Sequence, residues 1–335
     1  MRKGMRRLTT WACIGTLAAC GARSALNVEE REGVTTVVPP TDQKLPVRDA
    51  APDATRDASL DAALPPIDAA PPPPDAFVKL DCDSPLTNFI YVVTSTDELY
   101  SFYPPSGAVR DIGRLSCPSP TNPNFPSDSH PHSMAVDRKG NAYVIYSDGS
   151  LYRVSTKTAA CTFSGYASAG DPLAKFGMGF SANATGSAAG TETLFVAGED
   201  LRSGTQALAS IDVVRNRQNF VAATPRGVGQ MELTGSGDGK LFGFYARQGQ
   251  PGTFVGELDK SNATLIGEQA FPTINFGKGW AFARYAGVFY MFTADGIGSQ
   301  STATKFDPDT RVTEVVQNFP QTIVGAGVST CAPDQ

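Results

Sequence analysis

The chain has 335 residues, with 33 acidic against 28 basic side chains for a formal charge of −5, and it contains 33 glycines, 25 prolines, six cysteines and two histidines. An acidic balance without a basic cluster leaves no electrostatic footprint for nucleic acid or for lipid headgroups. Abundant glycine and proline, with no long stretch of helical period, exclude a helix bundle and point to short strands and turns.

Residues 1–19 begin with the cations Arg2, Lys3, Arg6 and Arg7, then a mostly apolar stretch too short to span a bilayer. The stretch ends in Leu17-Ala18-Ala19-Cys20. Basic run, apolar run and small residues before a cysteine resemble the signal and lipobox of bacterial lipoproteins. The resemblance implies cleavage before Cys20 and acylation of its thiol. Removing the four cations takes the formal charge from −5 to −9. Stable anchoring needs more than one acyl chain, and the lipoprotein modification supplies them. The lipid bilayer is then a partner through Cys20, and the expected location is the cell envelope. Gly21, where aspartate would signal inner-membrane retention in enteric bacteria, favours the outer membrane and leaves the leaflet open.

Residues 20–79 cannot build a core. Prolines stand at 39, 40, 46, 52, 65, 66 and 71–74, and Asp-Ala pairs begin at Asp49, Asp53, Asp57, Asp61, Asp68 and Asp75. Like charges four residues apart repel on a helix, and the prolines interrupt one. The composition reads as a disordered, partly polyproline-II linker.

From residue 80 to 335 the chain repeats itself. Short strands follow sharp turns at Leu99-Tyr100-Ser101-Phe102, Leu151-Tyr152-Arg153-Val154, Leu208-Ala209-Ser210-Ile211, Val255-Gly256-Glu257-Leu258 and Ala303-Thr304-Lys305-Phe306. Their last apolar residues are spaced by 52, 57, 47 and 48. An apolar strand precedes each one, at 89–93, 142–146, 194–197, 241–245 and 289–292, and a further β-rich stretch follows. Five small-residue strands complete the pattern at 133–137, 177–181, 230–234, 279–283 and 325–329. Four strands per unit of about 50 residues make the blade of an all-β β-propeller. The first unit lacks its own small-residue strand, and 325–329 has no partners after it. The expected fold is therefore a ring of five four-stranded antiparallel blades, with the C-terminal strand closing blade 1. The extra length of the third unit leaves six blades as the alternative.

With Cys13 in the signal and Cys20 lipidated, Cys82, Cys117, Cys161 and Cys331 remain for two disulfides, of which three connectivities exist. Cys82 precedes the first strand of blade 1 and Cys331 follows the strand expected beside it. Cys117 and Cys161 are taken to end the outer strands of blades 1 and 2. The expected pairs are Cys82–Cys331 and Cys117–Cys161.

In a propeller the inner strands surround a channel. Alignment of those strands puts Ala135, Gly179, Glu232, Ala281 and Gly327 in one column, so Glu232 is its only charge. A carboxylate there needs a partner, a cation, or channel water. The two histidines, His130 and His132, enter the second inner strand and could face one side of an extended segment. With Asp128 or Glu232 as a third ligand they form a divalent-metal candidate; otherwise no cofactor is expected. Asp137 ends that strand, and Trp280 is either a stacking surface or filling between blades. Phe125 and Phe276 are further loop aromatics. No Gly-x-Ser-x-Gly elbow, phosphate-binding loop or Cys/His zinc spacing is present.

The stretch Pro131-His132-Ser133-Met134-Ala135-Val136-Asp137-Arg138-Lys139-Gly140-Asn141-Ala142-Tyr143-Val144 resembles a blade of NHL-like or gluconolactonase-like propellers. Gluconolactonase-like members hold a divalent cation on several acidic and amide residues of inner strands, and only Glu232 matches such a position. Five-bladed glycosidases resemble the chain in blade count but need carboxylates on at least three inner strands. Stalk and domain together resemble surface lipoproteins of myxobacteria of uncharacterised function. The expected role is a non-enzymatic, lipid-anchored binding or interaction module for a glycan or an envelope protein. The alternatives are a metal-dependent hydrolase or lactonase at the channel, using Glu232 and the two histidines, and a structural envelope scaffold.

Overall fold

Strands of five to ten residues, bounded by turns such as Asp148-Gly149, where Gly149 takes φ +85°, make up the described fold. The computed structural model describes residues 82, 84–121, 127–184 and 190–334. The signal, Cys20, the linker and Phe125 lie outside the described residues.

The described strands form five four-stranded antiparallel sheets. Blade 1 runs outward from β20 (Ile323–Val328) through β1 (Ile90–Thr94) and β2 (Glu98–Tyr103) to β3 (Ala108–Arg114). Blade 2 holds β4 (Pro131–Val136), β5 (Asn141–Tyr146), β6 (Ser150–Ser155) and β7 (Cys161–Ala167). Blade 3 holds β8 (Leu173–Ala182), β9 (Glu192–Asp200), β10 (Thr205–Asp212) and β11 (Arg217–Ala223). Blade 4 holds β12 (Val228–Gly235), β13 (Leu241–Arg247), β14 (Thr253–Leu258) and β15 (Leu265–Phe271). Blade 5 holds β16 (Gly279–Tyr285), β17 (Val288–Ala294), β18 (Ser301–Asp307) and β19 (Val312–Phe319). The inner strands touch in the cyclic order β20, β4, β8, β12, β16 and back to β20. This is a five-bladed β-propeller.

The ring closes through β20, which pairs antiparallel with β1 from Ile90↔Val328 to Thr94↔Ile323. The six-blade alternative is overturned. The extra length of the third unit is taken up by the ten-residue β8, the nine-residue β9 and the connection between them.

Each pair of neighbouring blades encloses its own apolar cluster. Tyr91, Val93 and Leu99 pack with Met134, Val144 and Tyr152 between blades 1 and 2. Ile90, Val92 and Phe102 point the other way, into Phe292 and Phe319 of blade 5. Alternate residues of one strand thus enter opposite interfaces, which is why β1 is buried along its whole length. The outer strand β3 has no strand paired to its far edge, and its residues are largely exposed.

Small residues on the inner strands answer to space. A Cβ added at Gly177 would lie 2.2 Å from the Met231 carbonyl oxygen, and one at Gly325 would lie 2.7 Å from the Met134 nitrogen. Neighbouring inner strands approach so closely that a side chain there would have to displace backbone.

Both expected disulfides are present, Cys82–Cys331 and Cys117–Cys161. One detail differs. Cys161 opens β7 rather than ending an outer strand, so its bond to Cys117, which follows β3, ties blade 1 to the first residue of blade 2's outer strand.

The chain-entropy model values a crosslink across 249 residues at about 5 kcal/mol and one across 44 residues at about 4 kcal/mol. The double variant Cys82→Ser/Cys331→Ser is expected to lower the thermal midpoint more than Cys117→Ser/Cys161→Ser. Equal losses in calorimetry would show that the ring is held shut without the first bond.

Candidate functional site

The two ends of the channel differ. At the end where β20 finishes, the C-terminal tail crosses from blade 1 to the far side of the ring. Thr330 Oγ1 donates to Glu192 Oε2 of blade 3 at 2.8 Å, and the Gly237 N–H of blade 4 donates to Asp334 Oδ1 at 3.2 Å. In blade 5, Arg284 Nη1 lies 3.7 Å from Asp334 Oδ1, and the Ala286 N–H donates to the Pro333 carbonyl at 2.8 Å. The tail therefore closes this end.

The opposite end opens into a cavity of about 310 Å³. Its lining includes Ser95 from blade 1, His130 and His132 from blade 2, Glu232 from blade 4, and Lys278 and Trp280 from blade 5. Glu232 forms its floor and is 2% exposed. Gly177 of blade 3 has no side chain, and a Cβ there would sit 2.9 Å from Glu232 Cδ. The carboxyl group therefore crosses β8 to reach Ser133, whose hydroxyl donates to Glu232 Oε2 at 2.6 Å. The Met178 N–H in turn donates to Ser133 Oγ at 3.2 Å. This relay joins blades 2, 3 and 4 near the axis.

Burial pushes the Glu232 carboxyl well above the usual carboxylate range, and the Ser133 hydrogen bond offsets only part of that rise. His132 moves the other way. Burial, reinforced by the positive charge of Lys175, lowers it to about 4, so its imidazole is neutral in neutral solution. The Gln230 amide nitrogen lies 3.4 Å from His132 Nε2. At the rim, His130 Nδ1 lies 3.3 Å from Asp97 Oδ2, and the Tyr146 hydroxyl donates to Asp97 Oδ1 at 3.3 Å. Asp97 occupies the tight β1–β2 turn at φ 71°, so blade 1 orients a histidine of blade 2.

Trp280 stacks on Phe276 with ring centroids 4.8 Å apart and packs against the apolar cluster between blades 4 and 5. It also lines the cavity, and its buried indole Nε1 has no hydrogen-bond partner among the described residues. A buried donor without an acceptor costs about 1–3 kcal/mol, and a ligand acceptor would relieve that cost.

His130, His132, Glu232 and Trp280 thus meet at one mouth. Asp137 does not join them. It sits at the other end of β4 and accepts from the Lys139 and Asn141 N–H groups at 2.9 and 2.8 Å, capping the β4–β5 turn. Glu232 is also shifted from its expected level. Both it and Ser133 lie four residues before the residue opening the next hairpin turn, so Glu232 aligns with Ser133, one step along the same face from Ala135. Among the described residues no group of three or more His, Cys, Asp or Glu side chains is placed to hold a metal ion, so the two histidines and Glu232 do not assemble a ligand set. Sequence reasoning missed Ser133, Gln230, Lys175 and Lys278. Only the first carried a signal, as a hydroxyl in a strand of otherwise small apolar residues.

Comparison with known protein families and with curated protein sequences returns no match to this chain.

Between the ordinary carboxyl value of 4.5 and its own raised value, folded Glu232 keeps a proton that the unfolded chain releases. It therefore makes stability fall as pH rises through that window. Glu192, raised by burial to about 7, acts in the same sense, and His132 acts in the opposite one below 6.5. Glu232→Gln keeps an acceptor for Ser133 and removes the titration. Melting curves from pH 5 to 8 should fall less steeply for the variant than for the parent protein. Parallel curves would mean that Glu232 is charged in the fold.

Proposed function

We propose that the chain is a lipid-anchored, extracytoplasmic binding protein whose propeller takes a polar, non-cationic ring-bearing ligand, of the carbohydrate class, in the channel mouth. The carrying observation is the one-ended channel. Its open mouth brings side chains from several blades onto a floor whose buried carboxyl is pushed towards its protonated form and whose imidazole is held neutral by burial. A neutral floor suits hydroxyl-rich ligands and gives a metal cation no charge to bind. Trp280 contributes an aromatic surface and a buried N–H donor without a partner among the described residues. Loops from different blades converge there while the sheets stay rigid, the usual way a scaffold carries a binding site. The lipobox ending at Cys20 supports the anchor, and two disulfides support an oxidising compartment outside the cytoplasm, with Gly21 favouring the outer membrane.

Thermal unfolding of the purified protein against galactose, galacturonate, N-acetylglucosamine, zinc and calcium tests this. A sugar at a hundred times its Kd adds about 2.7 kcal/mol, which raises the midpoint by roughly 5 °C. Trp280→Ala should abolish the rise. A shift with a metal alone overturns the reading in favour of a cation site, and no shift with any sugar overturns it in favour of an envelope scaffold.

A further inference from the structure

A second and larger cavity, of about 970 Å³, opens between blades 3 and 4. Its walls are the β9–β10 turn, the link from β11 to β12, and the end of β13, and its lining includes Gln206, Ala223, Thr224, Arg226, Gly229 and Arg247. It faces the same side of the ring as the mouth, because β12 begins here and ends at the closed face. Consecutive residues reach the two cavities. The register of β12 against β13 shifts between Val228 and Met231, so Gly229 and Gln230 leave the ladder. Gly229 lines the cleft, and the next residue, Gln230, reaches His132 in the mouth. Bulges of this kind re-aim side chains beside binding sites. A Cβ at Gly229 would lie 3.0 Å from the Ala246 carbonyl oxygen, so the ridge between the cavities carries only backbone at this point.

The charge is distinctive. The whole chain carries −5, yet Arg226 in the cleft, Lys278 in the mouth and Lys175 beside His132 enter no ion pair among the described residues. Glu232 is the only acid lining either cavity, and it is buried. Arg247 is fixed on the cleft wall by Glu268, with Nε and Nη2 each 2.7 Å from Oε2. Gln206, on the cleft wall, has its Oε1 buried without a hydrogen-bond partner among the described residues.

We infer that the ligand is an acidic glycan chain that lies in the cleft between blades 3 and 4, crosses the Gly229–Gln230 ridge, and places its terminal ring in the mouth. This rests on the mouth being a sugar site. The mouth is at the small end of ligand-pocket volumes and fits one ring, whereas the cleft is at the large end and fits several. The lining favours a glycan over an acidic peptide. It offers amides and hydroxyls from Gln206, Thr205, Thr224 and Gln248, and none of its apolar members is aromatic.

Isothermal titration of the purified protein with oligogalacturonates of one to six residues tests the inference. The hexamer is expected to bind about tenfold or more tightly than the monomer, as a second linked contact should give. Its methyl-esterified form, with the carboxylate charges removed, should fall back towards the monomer. Ala223→Trp at the exposed rim and Arg226→Gln should each weaken the hexamer several-fold and leave monomer binding and the melting midpoint unchanged. Equal affinity for monomer and hexamer overturns the chain-binding inference and leaves the mouth reading standing. Absence of binding by any member overturns the mouth reading itself. Undiminished binding of the esterified hexamer overturns the acidic character, and displacement of the hexamer by hexaglutamate at equal affinity assigns the track to an acidic peptide instead.

Discussion

The pairing of β20 with β1 brings together residues 229 to 238 positions apart, and without it blade 1 has no inner strand and the ring stays open. Loop-closure entropy opposes such a contact, though only logarithmically in length. Several local features oppose that cost. Ile323, Ala326 and Val328 are buried in the cluster between blades 5 and 1, and Cys331 is bonded to Cys82 just beyond the strand. Closure then imposes its own constraint on the centre. Five inner strands crowd one axis, and glycines at 177, 179, 325 and 327 sit where a Cβ would meet the next strand's backbone. The channel is what remains of that crowding.

The segment that closes the ring also makes its two faces unequal. Beyond β20 the tail lies across one end, and its polar groups are satisfied by other parts of the fold: Thr330 by Glu192, Asp334 by Gly237 and Arg284. At the other end the polar groups are incompletely matched. Trp280 Nε1 and, in the adjoining cleft, Gln206 Oε1 are buried without partners, and Arg226 and Lys278 lack counter-ions among the described residues. Buried polar groups in folded proteins are nearly always paired; among the described residues Trp280 Nε1 and Gln206 Oε1 are exceptions beside the two cavities, as Thr253 Oγ1 and Gln321 Oε1 are away from them. The same chain closure that stabilises the domain thus decides which face is free to recognise anything.

The architecture was legible because its physics is periodic. A spacing near 50 residues, an apolar middle strand and a small-residue inner strand recur five times, and each repeat meets the same demand for two buried faces and a crowded axis. The disulfides followed from strand adjacency, which the phase of the repeat determines. The site was legible only in part. Glu232 stood out because a charge in a column of Gly and Ala is costly. Its partner Ser133 did not, because a slip of two residues in aligning β12 with β4 put Glu232 level with Ala135. Such a slip leaves the face of the strand unchanged, so the hydrophobic pattern could not correct it. Asp137 shows a different limit: a carboxylate at a strand end looks the same in sequence whether or not it caps a turn, as it does here. Gln230 and the cleft depend on a bulge, which has no reliable sequence signal.

The neutral floor bears on how the mouth would discriminate between ligands. A charged Glu232 would repel the acidic chain inferred for the cleft, and a charged His132 would attract it in a strongly pH-dependent way. Burial suppresses both charges: between about 4, where His132 gains its proton, and the raised value of Glu232, the floor carries none. Within that window the attraction rests with Lys175, Lys278 and Arg226. Carboxylates of sugar acids would be ionised through most of the same range. Binding should then depend strongly on ionic strength, because the rim cations are exposed and screened, and only weakly on pH. That combination suits a module working outside the cytoplasm, where pH is not buffered by the cell, and it follows from placing the carboxyl on the floor and the cations at the rim.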